Sequence, residues 1–273
     1  RGVLASGLYK NIIQRLPAAL LLVACIFGIL YLQNNYLILI IAIAVGFLLI
    51  KEWLLLSESK IDLKQIMFFV TLILLSIFFT KDFINLFLII IAGFWMLYSF
   101  YLISNKSPSL ASFDNNYLGA LLVLGFLNGL IYLLFFSEFN NANKFFVLFV
   151  ILFNTVLADV GAYLVGSSIG KTPLFPKISP NKTIEGLLGG AGFVLIFLSI
   201  IYFYDLISLE IVLASLISLP FAFIGDYFES QLKREKSIKD SGSLIPGHGG
   251  VWDRLDSHIA VVPIFILLTN LMA

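Results

Sequence analysis

The sequence predicts an all-α, polytopic integral membrane protein of about nine transmembrane helices, its N-terminus cytoplasmic and its C-terminus outside. Composition carries the first part of that expectation. Residues of the AVILMFWYC set fill 60% of the 273 positions, against roughly half in a soluble domain. Charged residues make up 12%, about half the usual share, and mean hydropathy is +1.02. So few polar side chains would not cover a soluble fold of this size. The apolar runs are also continuous rather than alternating, which favours helices over a barrel. Finally, the basic residues fall almost wholly into alternate joints between those runs.

Taken in order against a crossing length of about 20 residues, the runs lie at about 16–32, 36–56, 66–80, 83–103, 117–137, 145–168, 185–204, 209–228 and 258–272. In the first, Leu22-Val23-Ala24-Cys25 looks like a lipoprotein cleavage site, but Ile26-Phe27-Gly28-Ile29-Leu30 stays apolar beyond it. An uncleaved helix is therefore expected there. The third and ninth runs are short, within the range that bilayer thinning accommodates. Nine helices starting inside put Arg1, Lys10, Arg15, Lys51, Lys60, Lys64, Lys106, Lys171, Lys177, Lys182, Lys233, Arg234, Lys236, Lys239 and Arg254 on the cytoplasmic side. Only Lys81 and Lys144 of the 17 basic residues then lie outside, an asymmetry that a missed span would scramble.

A net charge of +1 is too small to point to a nucleic-acid partner. The single cysteine, Cys25, excludes an intramolecular disulfide and a multi-cysteine metal site. The chain divides by content. Residues 1–150 read as scaffold helices with short polar joints, a region of possible dimer contacts with no readable chemistry. Residues 151–273 read as the catalytic region, with cytoplasmic loops at 169–184 and 229–257.

Two acids stand where lipid is expected, Asp159 in the sixth run and Asp226 near the end of the eighth. A carboxylate in the bilayer interior costs at least about 2.5–3.5 kcal/mol unless paired, metal-bound or wet, so each marks a functional site unless it merely reaches interface water. After the sixth run come Gly166-Ser167-Ser168-Ile169-Gly170-Lys171 and Ser179-Pro180-Asn181-Lys182-Thr183-Ile184-Glu185-Gly186. These read as a helix stop and a capped restart, and the restart beside Lys182 also suits an anion. The glycine spacing is one residue short of a phosphate loop. Gly186, Gly189, Gly190 and Gly192 fit close helix packing.

The densest stretch runs from Ser230 to Asp256. A juxtamembrane basic cluster that binds anionic headgroups accounts for Lys233, Arg234, Lys236 and Lys239. It does not account for Asp240, Asp253 and Asp256 in the same loop, or for Gly247, Gly249 and Gly250 around His248. Cations interleaved with hard oxygen ligands suit a polyphosphate with a divalent cation. His248 reads equally well as a structural hydrogen-bonding residue.

The stretch matches, without a gap, the pattern S-x-L-K-R-x4-K-D-x-G-x2-I-P-x-H-G-G-x-x-D-R-x-D, and by it the chain resembles the phosphatidate cytidylyltransferases, or CDP-diacylglycerol synthases. Asp159, Gly161-Ala162-Tyr163, Gly166, Gly170-Lys171 and the 179–186 segment also look like that family, so the resemblance covers about 151–258. It implies a nine-span membrane enzyme, often a homodimer, among membrane lipids; the basic-residue asymmetry points to a bacterial inner membrane. Such an enzyme joins CTP to phosphatidate, giving CDP-diacylglycerol and pyrophosphate with Mg²⁺, at a cavity open to the cytoplasm. It implies metal ligands at Asp226 and Asp253 with Asp159 beside them, and a second cation such as K⁺. Beside these, Lys233, Arg234, Lys239, Asp240, His248 and Arg254 are expected to be catalytic, the basic residues among them holding phosphates of the two substrates. Lys171, Ser179, Asn181, Lys182, Ser230, Gly249 and Gly250 then bind substrate. Two other classes compete: a cation-coupled carrier, which has no need of the mixed charge at 230–256, and a CDP-alcohol phosphotransferase, whose acidic helix motif is absent from the sequence.

Overall fold

Polar residues between the apolar runs punctuate the chain by capping. The Asn34 side chain accepts from the Tyr36 and Leu37 amides, and Thr80, Asn115, Asn143 and Thr183 likewise cap the helices that follow them. In a computed structural model that describes residues 23–57, 63–104, 115–176, 179–242, 244 and 249–272, these caps delimit a nearly all-helical fold. Helix α1 covers the described residues 23–31. It is followed by α2 (Asn35–Leu56), α3 (Leu63–Ser76), α4 (Lys81–Ile103), α5 (Asn116–Phe135) and α6 (Lys144–Ile169). Strands β1 (Pro173–Phe175) and β2 (Ser179–Thr183) form an antiparallel hairpin before α7 (Ile184–Phe203), α8 (Leu209–Glu235) and α9 (Trp252–Met272).

Among the described residues, seven helices (α2 and α4–α9) are long and apolar enough to cross a membrane. The third expected span is the 14-residue helix α3, and the first lies partly outside the described residues. Large apolar side chains such as Ile40, Phe47, Ile89, Met96, Ile196 and Phe203 stand exposed, a surface suited to lipid rather than water. Pro220 and Pro263 sit inside α8 and α9, as proline does in membrane helices.

The two polar segments differ from their expected loop form. Residues 229–235 continue α8 and 252–257 begin α9, so both ends of the expected loop are helical. Lys233 and Arg234 in the last turn of α8 complement the helix dipole, and Lys233 pairs with Glu229 one turn earlier. High polarity here marks a helix extended beyond its apolar part. The 169–184 segment, expected as a loop, contains the β1–β2 hairpin.

Hydrogen bonds between distant elements define two ends. At one end, Trp53 Nε1 donates to the Asn115 carbonyl and Trp252 Nε1 to the Leu49 carbonyl. At the other, the Asn35 side chain donates to the Leu134 carbonyl and Asn270 to Asn85. The helices alternate in direction, so the first end gathers the hairpin, the start of α9 and the end of α8. Lys81 and Lys144, each the first residue of its helix, stand at the second.

Helices α6 and α7 pack through glycine. A Cβ on Gly190 would fall on the Ala158 carbonyl, and one on Gly161 would lie 2.9 Å from the Gly190 Cα. Gly190→Val is expected to destabilise the fold by about 1–3 kcal/mol through overpacking. Gly192→Ala, with nothing within 4 Å of its Cβ, is the matched control. A lower thermal midpoint in detergent for the first alone checks this.

Candidate active site

At the first end, α6, β2, α7 and α8 enclose a cavity of about 290 Å³. Its polar lining consists of Asp159, Tyr163, Ser179, Asn181, Lys182, Thr183, Asp226 and Tyr227, with Leu174, Leu187 and Phe223 as apolar wall. The hairpin explains how Ser179, Asn181, Lys182 and Thr183, beyond the end of α6, return to it. Glu185, in the first turn of α7, accepts from the Lys171 and Thr172 amides and from the Thr172 hydroxyl, tying the hairpin's start to its end. Strand β2 then delivers Lys182 across α8, where its ammonium pairs with Asp226 Oδ2 and lies 4.7 Å from the centre of the Tyr227 ring. Asp226 Oδ1 is 3.4 Å from the Ser230 hydroxyl. Burial pulls the Lys182 ammonium below the usual lysine range, against the upward pull of Asp256, Asp159 and Glu229.

A second cluster adjoins the first along α8. Asp226, Glu229 or Ser230, and Lys233 follow one another at one-turn spacing and share a face. Lys233 Nζ bridges Glu229 Oε2 and Asp253 Oδ1, each at 2.6 Å, and the two carboxylates are only 2% and 6% exposed. The second oxygen of Asp253 is held by the Ser241 and Gly250 amides, both at 2.8 Å, and by the Ser241 hydroxyl at 2.9 Å. Gly249 adopts φ +85°, where an L side chain is strained, and its Cβ would meet Asp253 Oδ2. The turn before α9 is thus shaped around the Asp253 carboxylate.

Of the residues singled out from the sequence, the structure brings Asp159, Ser179, Asn181, Lys182 and Asp226 around the cavity and sets Ser230 beside Asp226. Lys233, Asp253, Gly249 and Gly250 form the adjoining cluster. Arg234, Lys239, Asp240 and Arg254 are exposed at the same end. Lys171 is exposed too, and its backbone amide anchors the hairpin. His248 lies outside the described residues. Among the described residues no three His, Cys, Asp or Glu side chains form a group able to hold a metal. Each proposed metal-binding carboxylate instead carries a lysine ammonium, Lys182 on Asp226 and Lys233 on Asp253.

Sequence reasoning missed Glu229, Glu185 as a hairpin clamp, and Glu52. Glu229 was legible from its one-turn spacing to both Asp226 and Lys233. Glu52 was legible as an acid inside the second apolar run, by the same rule that flagged Asp159. Its partners, some 200 residues away, were not.

Fold and site together define a nearly all-helical protein with lipid-suited helices and a cavity lined by Lys182, Asp159 and Asp226 at one end. The chain belongs to the cytidylyltransferase family, whose model matches residues 13–272. It is 38% identical over 144 residues to the phosphatidate cytidylyltransferase of Bacillus subtilis (strain 168), covering 51% of this chain and 54% of that protein. It is 44% identical over 138 residues to the enzyme of that name from Staphylococcus aureus (strain COL), covering 50% and 53%. Identity is 38% over 139 residues to that of Aquifex aeolicus (strain VF5), covering 51% of each. The chain spans about half the length of the curated relatives it matches. The family read from the 230–256 pattern is borne out.

Proposed function

We propose that this protein transfers the cytidylyl group of CTP to phosphatidate, giving CDP-diacylglycerol and pyrophosphate for phospholipid synthesis. The observation that carries this reading is the cavity in which Lys182 and Asp226 face one another beneath Tyr227, one helical turn from the Glu229–Lys233–Asp253 bridge. Cations and carboxylates in one cleft suit two phosphorylated substrates that must be neutralised before they meet.

A phosphate oxygen of phosphatidate attacks the α-phosphorus of CTP. The bond from that phosphorus to the β-phosphate's bridging oxygen breaks, and its electron pair leaves with pyrophosphate. The attacking phosphate needs no strong base, because its second pKa of about 6 leaves it largely dianionic near neutral pH. Positioning and charge balance then supply most of the rate. Lys182 and Lys233, released from their carboxylates, hold phosphate oxygens. Arg234, Lys239 and Arg254 receive the remaining charge, and Lys171 lies beside the hairpin's mouth. Ser179, Asn181 and Ser230 supply hydrogen bonds to substrate, and Asp240 and His248 complete the loop. Asp226 and Asp253, with Asp159 nearby, would hold Mg²⁺. Hard carboxylate oxygens already bearing a cationic partner fit that ion, which takes one or two carboxylates plus substrate phosphates. When bound, Mg²⁺ neutralises charge on the triphosphate; a second cation such as K⁺ would share that task.

The finer topology belongs to the same reading: nine spans, the N-terminus and the site cytoplasmic, the C-terminus outside, in a bacterial inner membrane among its lipids and as a homodimer. Its support is the placement of Lys81 and Lys144 at the end remote from the site.

The test is pyrophosphate release by the purified full chain in lipid–detergent micelles. Release that requires CTP, phosphatidate and Mg²⁺ together, with matching CDP-diacylglycerol, is expected. No release with all three present, or equal release without phosphatidate, overturns the reading.

A further inference from the structure

We propose that Glu52, in the N-terminal half of the chain, is a positioning residue for the site formed by the C-terminal half. It resides near the end of α2, is 7% exposed, and reaches the start of α9. Its Oε1 accepts from the Val251 amide at 2.9 Å and its Oε2 from the Trp252 amide at 3.0 Å. These are among the first N–H groups of α9, which have no partner within the helix and attract negative charge. The Ser241 hydroxyl lies 3.4 Å from Glu52 Oε2 and 2.9 Å from Asp253 Oδ2, so one side chain bridges the two carboxylates.

The glycines of the 230–256 pattern acquire a physical reason from this contact. A Cβ on Gly250 would lie 2.6 Å from Glu52 Oε2, and one on Gly242 2.9 Å from Oε1. Both glycines leave room for a carboxylate delivered by another helix. Trp252 is clamped from the same helix, donating from Nε1 to the Leu49 carbonyl at 2.7 Å, with its ring 5.1 Å from that of Trp53. Glu52 therefore holds Ser241 on one side of the loop and residues 251–252 on the other. Asp253 takes its own bonds from Ser241 and Gly250, within that frame. A buried carboxylate is expensive unless fully bonded, and here its bonds set the direction of Asp253. The effect on turnover rests on the proposed cytidylyl transfer; the anchoring of the loop does not.

The test compares Glu52→Gln with wild type in lipid–detergent micelles. Glutamine keeps the volume but removes the charge and turns an NH₂ toward donors. We expect kcat for pyrophosphate release to fall about 10–100-fold, the range typical of residues that orient ligands. The KM for CTP is expected to stay within about twofold, since binding groups are untouched. Hydrogen exchange at the Val251 and Trp252 amides is expected to quicken, while Lys51→Ala on the same helix changes neither. Wild-type kcat together with wild-type exchange in Glu52→Gln overturns the proposal. Should that variant not fold, Ser241→Ala, which removes the hydroxyl lying between the Glu52 and Asp253 carboxylates, is expected to lower kcat about tenfold or more, and wild-type kcat there overturns it. If wild-type protein releases no pyrophosphate, the functional reading fails and the exchange comparison decides the anchor alone.

Discussion

Asp226→Asn is expected to abolish turnover while leaving the helices in place. Its carboxylate lines the cavity and pairs with Lys182, and it is one of the two proposed Mg²⁺ ligands. Asparagine preserves the shape of the side chain and its contact with Ser230, but removes the charge on which both partners depend. A loss of at least about a thousandfold in kcat/KM corresponds to some 4 kcal/mol of barrier, in the range of several kcal/mol that a metal's charge stabilisation supplies. Pyrophosphate release at saturating Mg²⁺, measured beside the size-exclusion profile of the variant, gives the answer. Activity within about tenfold of wild type, or roughly 1.4 kcal/mol, would take Asp226 out of the site.

The second large effect concerns stability as well as turnover. Lys233→Met removes the ammonium that bridges Glu229 and Asp253, whose carboxylates are 2% and 6% exposed. Two buried like charges then face one another. Breaking a buried pair by deleting one partner costs about 3–5 kcal/mol, so the thermal midpoint should drop well below that of wild type. Adding Glu229→Gln removes one of the stranded charges and is expected to recover much of the midpoint, with turnover still lost because the phosphate-binding ammonium is absent. A double variant that regains activity would show that Lys233 acts only as structural glue. A single variant that melts like wild type would show that the bridge contributes no net stability.

The site was legible in the sequence to the extent that its residues sit in unusual company. Asp159 and Asp226 stood out because acids in apolar runs are costly, and the 230–256 stretch because it mixes cations, carboxylates and glycines too densely for a headgroup-binding patch. The structure groups many of these residues, and the family match bears out the class they pointed to. Less legible was how they are paired. That Lys182 meets Asp226, 44 positions on, follows from a hairpin that the sequence presents only as a proline-rich joint. That Lys233 joins Glu229 to Asp253 depends on α8 continuing to Glu235, where polarity had indicated a loop. Glu52 is visible as an acid inside an apolar run, but its partners lie some 200 positions away and only packing brings them to it.

By itself, the sequence determined that this chain is helical and apolar enough for lipid, about where its apolar runs lie, and which family it belongs to. These properties depend on local composition and motif, each written within a few tens of residues. Only the tertiary structure decided which carboxylate faces which lysine, and that helix α2 contributes Glu52 to a turn formed some 200 positions later. Charge pairing acts over a few ångströms of space whatever the separation along the chain, so it appears only once the helices have packed.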